Sequence, residues 1–184
     1  MLVVLISAAA TSIASVTIGP LDSPSAPTDV APLLDRQTGA AQYAGLLASA
    51  EQAAPNPAAA SAIVFAARQL GLPYVWGGNG PSKGDAGYDC SGLTMAAYAS
   101  AGISIPRTAT DQYRHGVSVP LSSLRPGDLV FYGNDTFAHH VGIYVGSANG
   151  SGVILDAPKN GAVVRFDTLA ADDLFAATRP SATH

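Results

Sequence analysis

Tyr88-Asp89-Cys90-Ser91-Gly92-Leu93 places the one cysteine of the chain directly after an acid that can cap a helix. Asp89 is a side-chain acceptor of the kind that opens helices. Leu93, Ala97 and Ala101 then share a face with Cys90, and Gly102 ends the pattern. The spacing predicts a helix from Cys90 to about residue 101 with the thiol in its first turn. A lone cysteine forms no internal disulfide, so Cys90 is either packed in the core or used chemically.

The same signals extend in both directions. Asn56 followed by Pro57 predicts a helix start, a side-chain cap and then proline at the first helical position. Ile63, Val64, Ala67 and Leu70 form a helical stripe, and Gly71 suits a left-handed C-terminal position, so this helix runs from 57 to about 70. Residues 33 to 52 are rich in Ala and Leu and form a weaker helix candidate carrying Leu33, Leu34, Leu46 and Leu47. Pro106 to Tyr113 holds a short one. Beyond them, Asp128 to Tyr132, His140 to Val145, Gly152 to Asp156 and Ala162 to Phe166 are short, β-rich and separated by turn residues. Residues 173 to 179 add an expected edge strand. Helices first and strands after predict an α+β domain built on an antiparallel sheet.

Composition narrows the function classes. The chain has 184 residues, 48% hydrophobic and 12% charged, enough to build a core. It carries nine Lys and Arg residues and a net charge of −4, with no basic run. Binding to nucleic acid or to an anionic membrane through a polybasic patch is therefore not expected. Residues 1–20 are uncharged and apolar but lack the basic start of a secretory leader. They read as a signal peptide, a membrane anchor or a structured element. Export would leave Cys90 in an oxidising compartment, where an odd thiol is either buried or employed. Residues 21–56 read as a Pro/Ala-rich linker with the weak helix, and residues 57–184 as the main domain.

A thiol becomes a nucleophile when it ionises, and a helix N-terminus stabilises the thiolate through free N–H groups and the helix dipole. Ser91 and Gly92 are small enough to admit a substrate carbonyl beside those amides. A base is then required, and His139 and His140 are adjacent candidates. Strand alternation sets them on opposite faces. If the pairing of the two strands around the Ser147–Ser151 loop has an even register sum, Asp156 shares the face of His140 and can orient its ring. An odd sum favours His139. One Cys and two adjacent His do not make the paired ligand spacing of a metal site.

The motifs together resemble the NlpC-type cell-wall cysteine peptidases. The similarity runs over about residues 58 to 180. It rests on Leu72-Pro73-Tyr74-Val75-Trp76-Gly77-Gly78, the Cys90 stretch, Ile105-Pro106-Arg107-Thr108, Leu124-Arg125-Pro126-Gly127-Asp128-Leu129-Val130-Phe131, His140-Val141-Gly142-Ile143-Tyr144-Val145-Gly146 and Leu155-Asp156-Ala157-Pro158. The resemblance implies a papain-like core and hydrolysis of peptidoglycan stem peptides, between D-isoglutamate and diaminopimelate or lysine. It implies Cys90 as nucleophile, His140 as base and Tyr74 as an oxyanion donor. Asp89 and Ser91 would recognise the substrate amine and backbone, and Arg107 would line the groove. The third catalytic position of the family is often His and sometimes Asn, Gln or an acid; here it is Asp156. The Leu155-to-Pro158 form is similar to mycobacterial-type cell-wall hydrolases. No metal or organic cofactor is implied. The expectation is a monomer, secreted or wall-associated. The rival readings are a binding module that holds wall peptides without cutting them, and a bacteriolytic toxin or lysin of the same fold acting on another amide bond.

Overall fold

The computed structural model describes residues 43–181. The expectations for residues 1–20, and for Leu33 and Leu34, lie outside them. Among the described residues, four α-helices form: α1 (Ala44–Ala53), α2 (Pro57–Ala67), α3 (Cys90–Ser100) and α4 (Ala109–His115). They precede the sheet, whose strands are β1 (Val117–Ser118), β2 (Leu129–Gly133), β3 (Ala138–Ala148), β4 (Ser151–Asp156), β5 (Arg165–Thr168) and β6 (Leu174–Arg179). Every pairing is antiparallel, in the order β1-β6-β2-β3-β4-β5. The α+β class is as expected.

Local chemistry sets the helix starts. The Asn56 side chain accepts from Ala59 N at 2.9 Å, with Pro57 at the first helical position of α2. Asp89 does the same for α3, accepting from Gly92 N at 2.7 Å. Thr108 caps α4, so that helix starts three residues later than its proline-led sequence suggested and continues to His115. Helix α2 stops at Ala67, because Gln69 and Leu70 switch to tighter turn bonds before Gly71 adopts φ 78°.

Alternation along the strands divides the sheet. Leu129, Phe131, Val141, Ile143 and Leu155 point to one face and are buried beneath α2 and α3, where Ala62, Ile63, Ala66, Leu93 and Ala97 meet them. The small alanines let the helices settle closely on the sheet. Val130, Tyr132, Ile154 and Ala177 form a smaller cluster on the opposite face. Helix α1 belongs to the larger core: Ala50 is buried there, and the Tyr43 ring lies 4.4 Å from Phe166.

Two strand expectations need correction. Residues 174–179 are not at the edge, because β1 pairs with their outer side and β2 with their inner side. The fifth strand begins at Arg165 and not at Ala162. Residues 162–164 hydrogen-bond instead to the Leu72–Tyr74 segment, through Val164 N to Leu72 O at 2.8 Å and Tyr74 N to Ala162 O at 2.9 Å. That detour ties the Tyr74 segment to the sheet near the end of β4.

Candidate active site

Helix α3 presents Cys90 at its first residue, mostly buried. Asp89 accepts the Gly92 amide, and its carbonyl accepts from Leu93 N at 3.0 Å. The Cys90 and Ser91 amides of that turn are therefore left uncommitted among the described residues. They carry the partial positive charge of the helix start toward the sulfur. Gly92 is required by a close approach: a Cβ there would lie 2.1 Å from the Gly78 carbonyl oxygen.

Asp89 also organises the Trp76-Gly77-Gly78 turn. Its Oδ2 accepts from Gly77 N at 3.0 Å and from Arg107 at 2.7 Å. Arg107 donates further to Ser91 Oγ at 2.9 Å. The three residues expected to recognise substrate, Asp89, Ser91 and Arg107, thus form one network beside Cys90. Most of the acceptor capacity of Asp89 is already used within the protein. Gln112 was missed at the sequence level. It is 2% exposed and donates to Ser91 O and Pro106 O at 2.9 and 2.8 Å, pinning the Arg107 segment to α3. A glutamine in a polar helix gives no sign of burial, so no sequence pattern flags it.

Tyr74 flanks the same region. Burial first, and then the charges of Cys90 and Asp89 against that of Arg107, hold its hydroxyl above the usual phenol range. It therefore stays protonated and able to donate. Trp76, next in the same segment but one, is 82% exposed.

His140 comes from β3 and Asp156 from the end of β4. His140 Nε2 lies 2.6 Å from Asp156 Oδ2, with the side chains 16% and 2% exposed. That contact leaves Nδ1 as the ring nitrogen available to Cys90. Burial alone would lower the imidazole, but hydrogen bonds with Asp156 and Cys90, reinforced by their charges, push it up to about 10. Burial raises the Asp156 carboxyl, and the bond from His140 opposes that rise. The proton therefore sits on the imidazole of the pair. Tyr132, directly opposite His140 in the β2–β3 register, packs its ring against the imidazole at 5.6 Å. Gly142 faces Asp156 across the strands, where a Cβ would come within 3.4 Å of the Asp156 Cβ.

The neighbouring histidine behaves differently. His139 is the extra residue of a β-bulge: Tyr132 pairs with His140 and Gly133 with Ala138, which leaves His139 unmatched. Strict alternation does not apply to it. Its Nε2 contacts Asp173 at 2.6 Å, and both side chains are about half exposed. The geometry thus brings Cys90, His140 and Asp156 together, with Tyr74, Asp89, Ser91 and Arg107 around the cysteine, and leaves His139 to a separate pair. A recess of about 600 Å³ between α1 and the β3–β4 hairpin contains none of these residues.

The profile of the NlpC/P60 family matches residues 71–174, which enclose every one of these side chains. A probable endopeptidase p60 of Listeria monocytogenes is 43% identical over 107 residues, covering 58% of this chain and 20% of its own length. A gamma-D-glutamyl-L-lysine dipeptidyl-peptidase of Bacillus cereus is 43% identical over 98 residues, covering 52% of this chain and 28% of its own. The chain thus spans less than a third of the length of those two relatives. The solved structure of the peptidoglycan hydrolase RipB from Mycobacterium tuberculosis superposes with a TM-score of 0.59 at 30% identity, covering 85% of this chain and 91% of that one.

Proposed function

Because the chain belongs to the NlpC/P60 family, we propose that it is a cysteine endopeptidase cutting the stem peptides of peptidoglycan. In this reading Cys90 is the nucleophile, His140 the acid and base, and Asp156 the group that orients the imidazole. The observation that carries it is the buried Asp156–His140 pair next to a thiol at a helix start. The names of the relatives support the substrate class, and one of them specifies a γ-D-glutamyl bond.

The steps follow from the geometry. The Cys90 thiolate, paired with the His140 imidazolium, attacks the scissile carbonyl carbon. The carbonyl oxygen becomes an oxyanion, which accepts hydrogen bonds from the Cys90 and Ser91 amides and from the Tyr74 hydroxyl. His140 gives its Nδ1 proton to the leaving nitrogen; the C–N bond breaks and a thioester remains. Water then enters, His140 takes its proton, and the hydroxide adds to the thioester carbon. Collapse expels the thiolate and frees the carboxylic acid. Asp156 keeps the ring in position throughout and stabilises its charged form. The bond expected to break follows D-isoglutamate and precedes diaminopimelate or lysine. The place of action is outside the cytoplasmic membrane, secreted or wall-associated. Among the described residues, no helix is long and apolar enough to cross a membrane.

Incubation with soluble disaccharide-peptide fragments, read by mass, tests this reading. Products ending in D-isoglutamate that vanish with Cys90→Ala are expected. Intact fragments with the unaltered protein, or cleavage that survives the substitution, would overturn it.

A further inference from the structure

Tyr132 stands directly opposite His140 in the β2–β3 register, and its ring centroid lies 5.6 Å from that of the imidazole, tilted by 41°. It is buried, in the cluster it forms with Val130, Ile154 and Ala177. The phenol therefore backs the one ring whose orientation the bond-breaking steps depend on, and those steps give it no part.

Its hydroxyl points to a more specific role. A recess of about 530 Å³ is walled in part by Tyr132, His140, Asp156 and Ala170, and Cys90 does not line it. Two buried polar atoms belong to those walls, Tyr132 Oη and Asp156 Oδ1, and neither makes a hydrogen bond among the described residues. Asp156 commits its other oxygen to His140 at 2.6 Å. A buried carboxylate with one oxygen unmet is costly to keep ionised. Tyr132 can supply a donor. Burial first, and then the charge of Asp156, push its hydroxyl up to about 12, so it keeps its proton at neutral pH. The Ala170 amide approaches the same oxygen without reaching hydrogen-bond geometry. An amide can only donate, so the hydroxyl proton is free to point elsewhere. The recess is roomy and polar enough for a water that accepts from Tyr132 Oη and donates to Asp156 Oδ1.

We propose that Tyr132 is a positioning residue for the His140–Asp156 pair: its ring backs the imidazole, and its hydroxyl, relayed by water in the recess, hydrogen-bonds Asp156 and keeps that carboxyl ionised. Asp156 then presents a full charge to the imidazolium, which in turn sustains the Cys90 thiolate. This role presupposes that Cys90, His140 and Asp156 act together, and it depends on no particular substrate. The other charged groups about the pair are Arg165 and Asp167 of β5, which act on Asp156 in opposite senses, and Asp173, which pairs with His139. None of them is altered by a change at Tyr132.

The rate at which iodoacetamide modifies Cys90, followed from about pH 3 to about pH 8, reads the thiolate–imidazolium pair without a substrate. Where Asp156 takes up a proton, the imidazolium loses its partner and the rate falls. In Tyr132→Phe this acid limb should move up by about one pH unit, the scale of one hydrogen bond to a charged group, with the neutral rate kept. In an Asp156→Asn background the same change should shift nothing further. Tyr132→Leu, which also removes the ring, should lower the neutral rate by about fivefold, the scale of one aromatic contact. A limb that stays in place in Tyr132→Phe, or that moves equally in the Asp156→Asn background, overturns the hydroxyl's role. Equal neutral rates in Tyr132→Leu and Tyr132→Phe overturn the ring's. Thermal midpoints on the same samples add a second check: a Tyr132→Phe protein more stable than the unaltered one has lost a hydroxyl that nothing satisfied, and refutes the relay. Turnover of stem-peptide fragments is scored separately. Alkylation that shifts as expected in a protein that cuts nothing refutes the endopeptidase reading and leaves the positioning role standing. Cleavage with an unmoved limb does the reverse.

Discussion

Asp156→Asn preserves the shape and one acceptor oxygen of the group beside His140 while removing its charge. The contact is 2.6 Å and the two side chains are 16% and 2% exposed, so water screens it poorly. A hydrogen bond to a charged partner contributes about 1.5–3 kcal/mol, against about 1 kcal/mol for a neutral one. The substitution therefore removes roughly 1–2 kcal/mol of preference for the imidazolium, which lowers the His140 pKa by about one unit. If that preference is used in the transition state, kcat/KM falls roughly 5- to 30-fold. The imidazole stands at about 10, so the unaltered protein keeps its paired proton well into alkaline solution. In the variant, the alkaline limb of activity should move to lower pH. The assay is kcat/KM on a stem-peptide fragment from about pH 5 to about pH 10. The rate at which iodoacetamide modifies Cys90 is followed over the same range. A variant that keeps both its rate and the position of its alkaline limb would show that Asp156 does not act on His140, and the triad would be reduced to a pair.

Gly92→Ala should destabilise the protein by about 1–3 kcal/mol, the usual cost of forcing atoms into a packed site. The new Cβ would meet the Gly78 carbonyl oxygen at 2.1 Å; an unchanged thermal midpoint would contradict that packing. His140 carries a second, pH-linked prediction, because its folded pKa is raised from 6.5 to about 10. The folded state then holds this proton more tightly than the unfolded chain, so its stabilisation is complete below about pH 6.5 and is lost as the pH rises toward 10. Thermal midpoints should decline across that interval and decline less in Asp156→Asn. Parallel curves for the two proteins would sink the linkage.

Much of this was legible because it is local. Asn56-Pro57 and Asp89 announce helix starts through their own side chains, and a helix start is what gives Cys90 its surroundings. The strands declared themselves through β-branched runs between turn residues. Tertiary pairing was less visible. Residues 162–164 look like a strand because their composition is apolar, but the Leu72–Tyr74 segment takes up their backbone groups, and nothing within either stretch announces the other. Gln112 was missed for a related reason. Its role comes from what lies across the fold, on Ser91 O and Pro106 O, and its neighbours Asp111 and Tyr113 do not mark it.

The choice between the two histidines depends on counting, and the count contains a trap. Asn149 and Gly150 both adopt positive φ, 53° and 80°, and form a two-residue hairpin turn between Ala148 and Ser151. Extended without interruption, that turn pairs every odd position of β3 with an even one of β4. Asp156 would then share the face of His139, and a correct reading of the turn would select the wrong base. A bulge reverses the outcome. Tyr144 pairs with Ile154 and Gly146 with Val153, so Val145 is the extra residue, and Gly146 at φ 119° supplies the backbone freedom beside it. Below the bulge Gly142 faces Asp156, and Asp156 reaches His140 diagonally on the same face. A second bulge, at His139, removes the competing ring from the ladder at the same end of β3. Each bulge adds one residue and leaves the hydrophobic pattern nearly intact, which is why periodicity does not reveal it. The pairing of His140 with Asp156 therefore rests on the bulge at Val145, and β3 must slip by one residue between its turn and its site for the proposed triad to assemble.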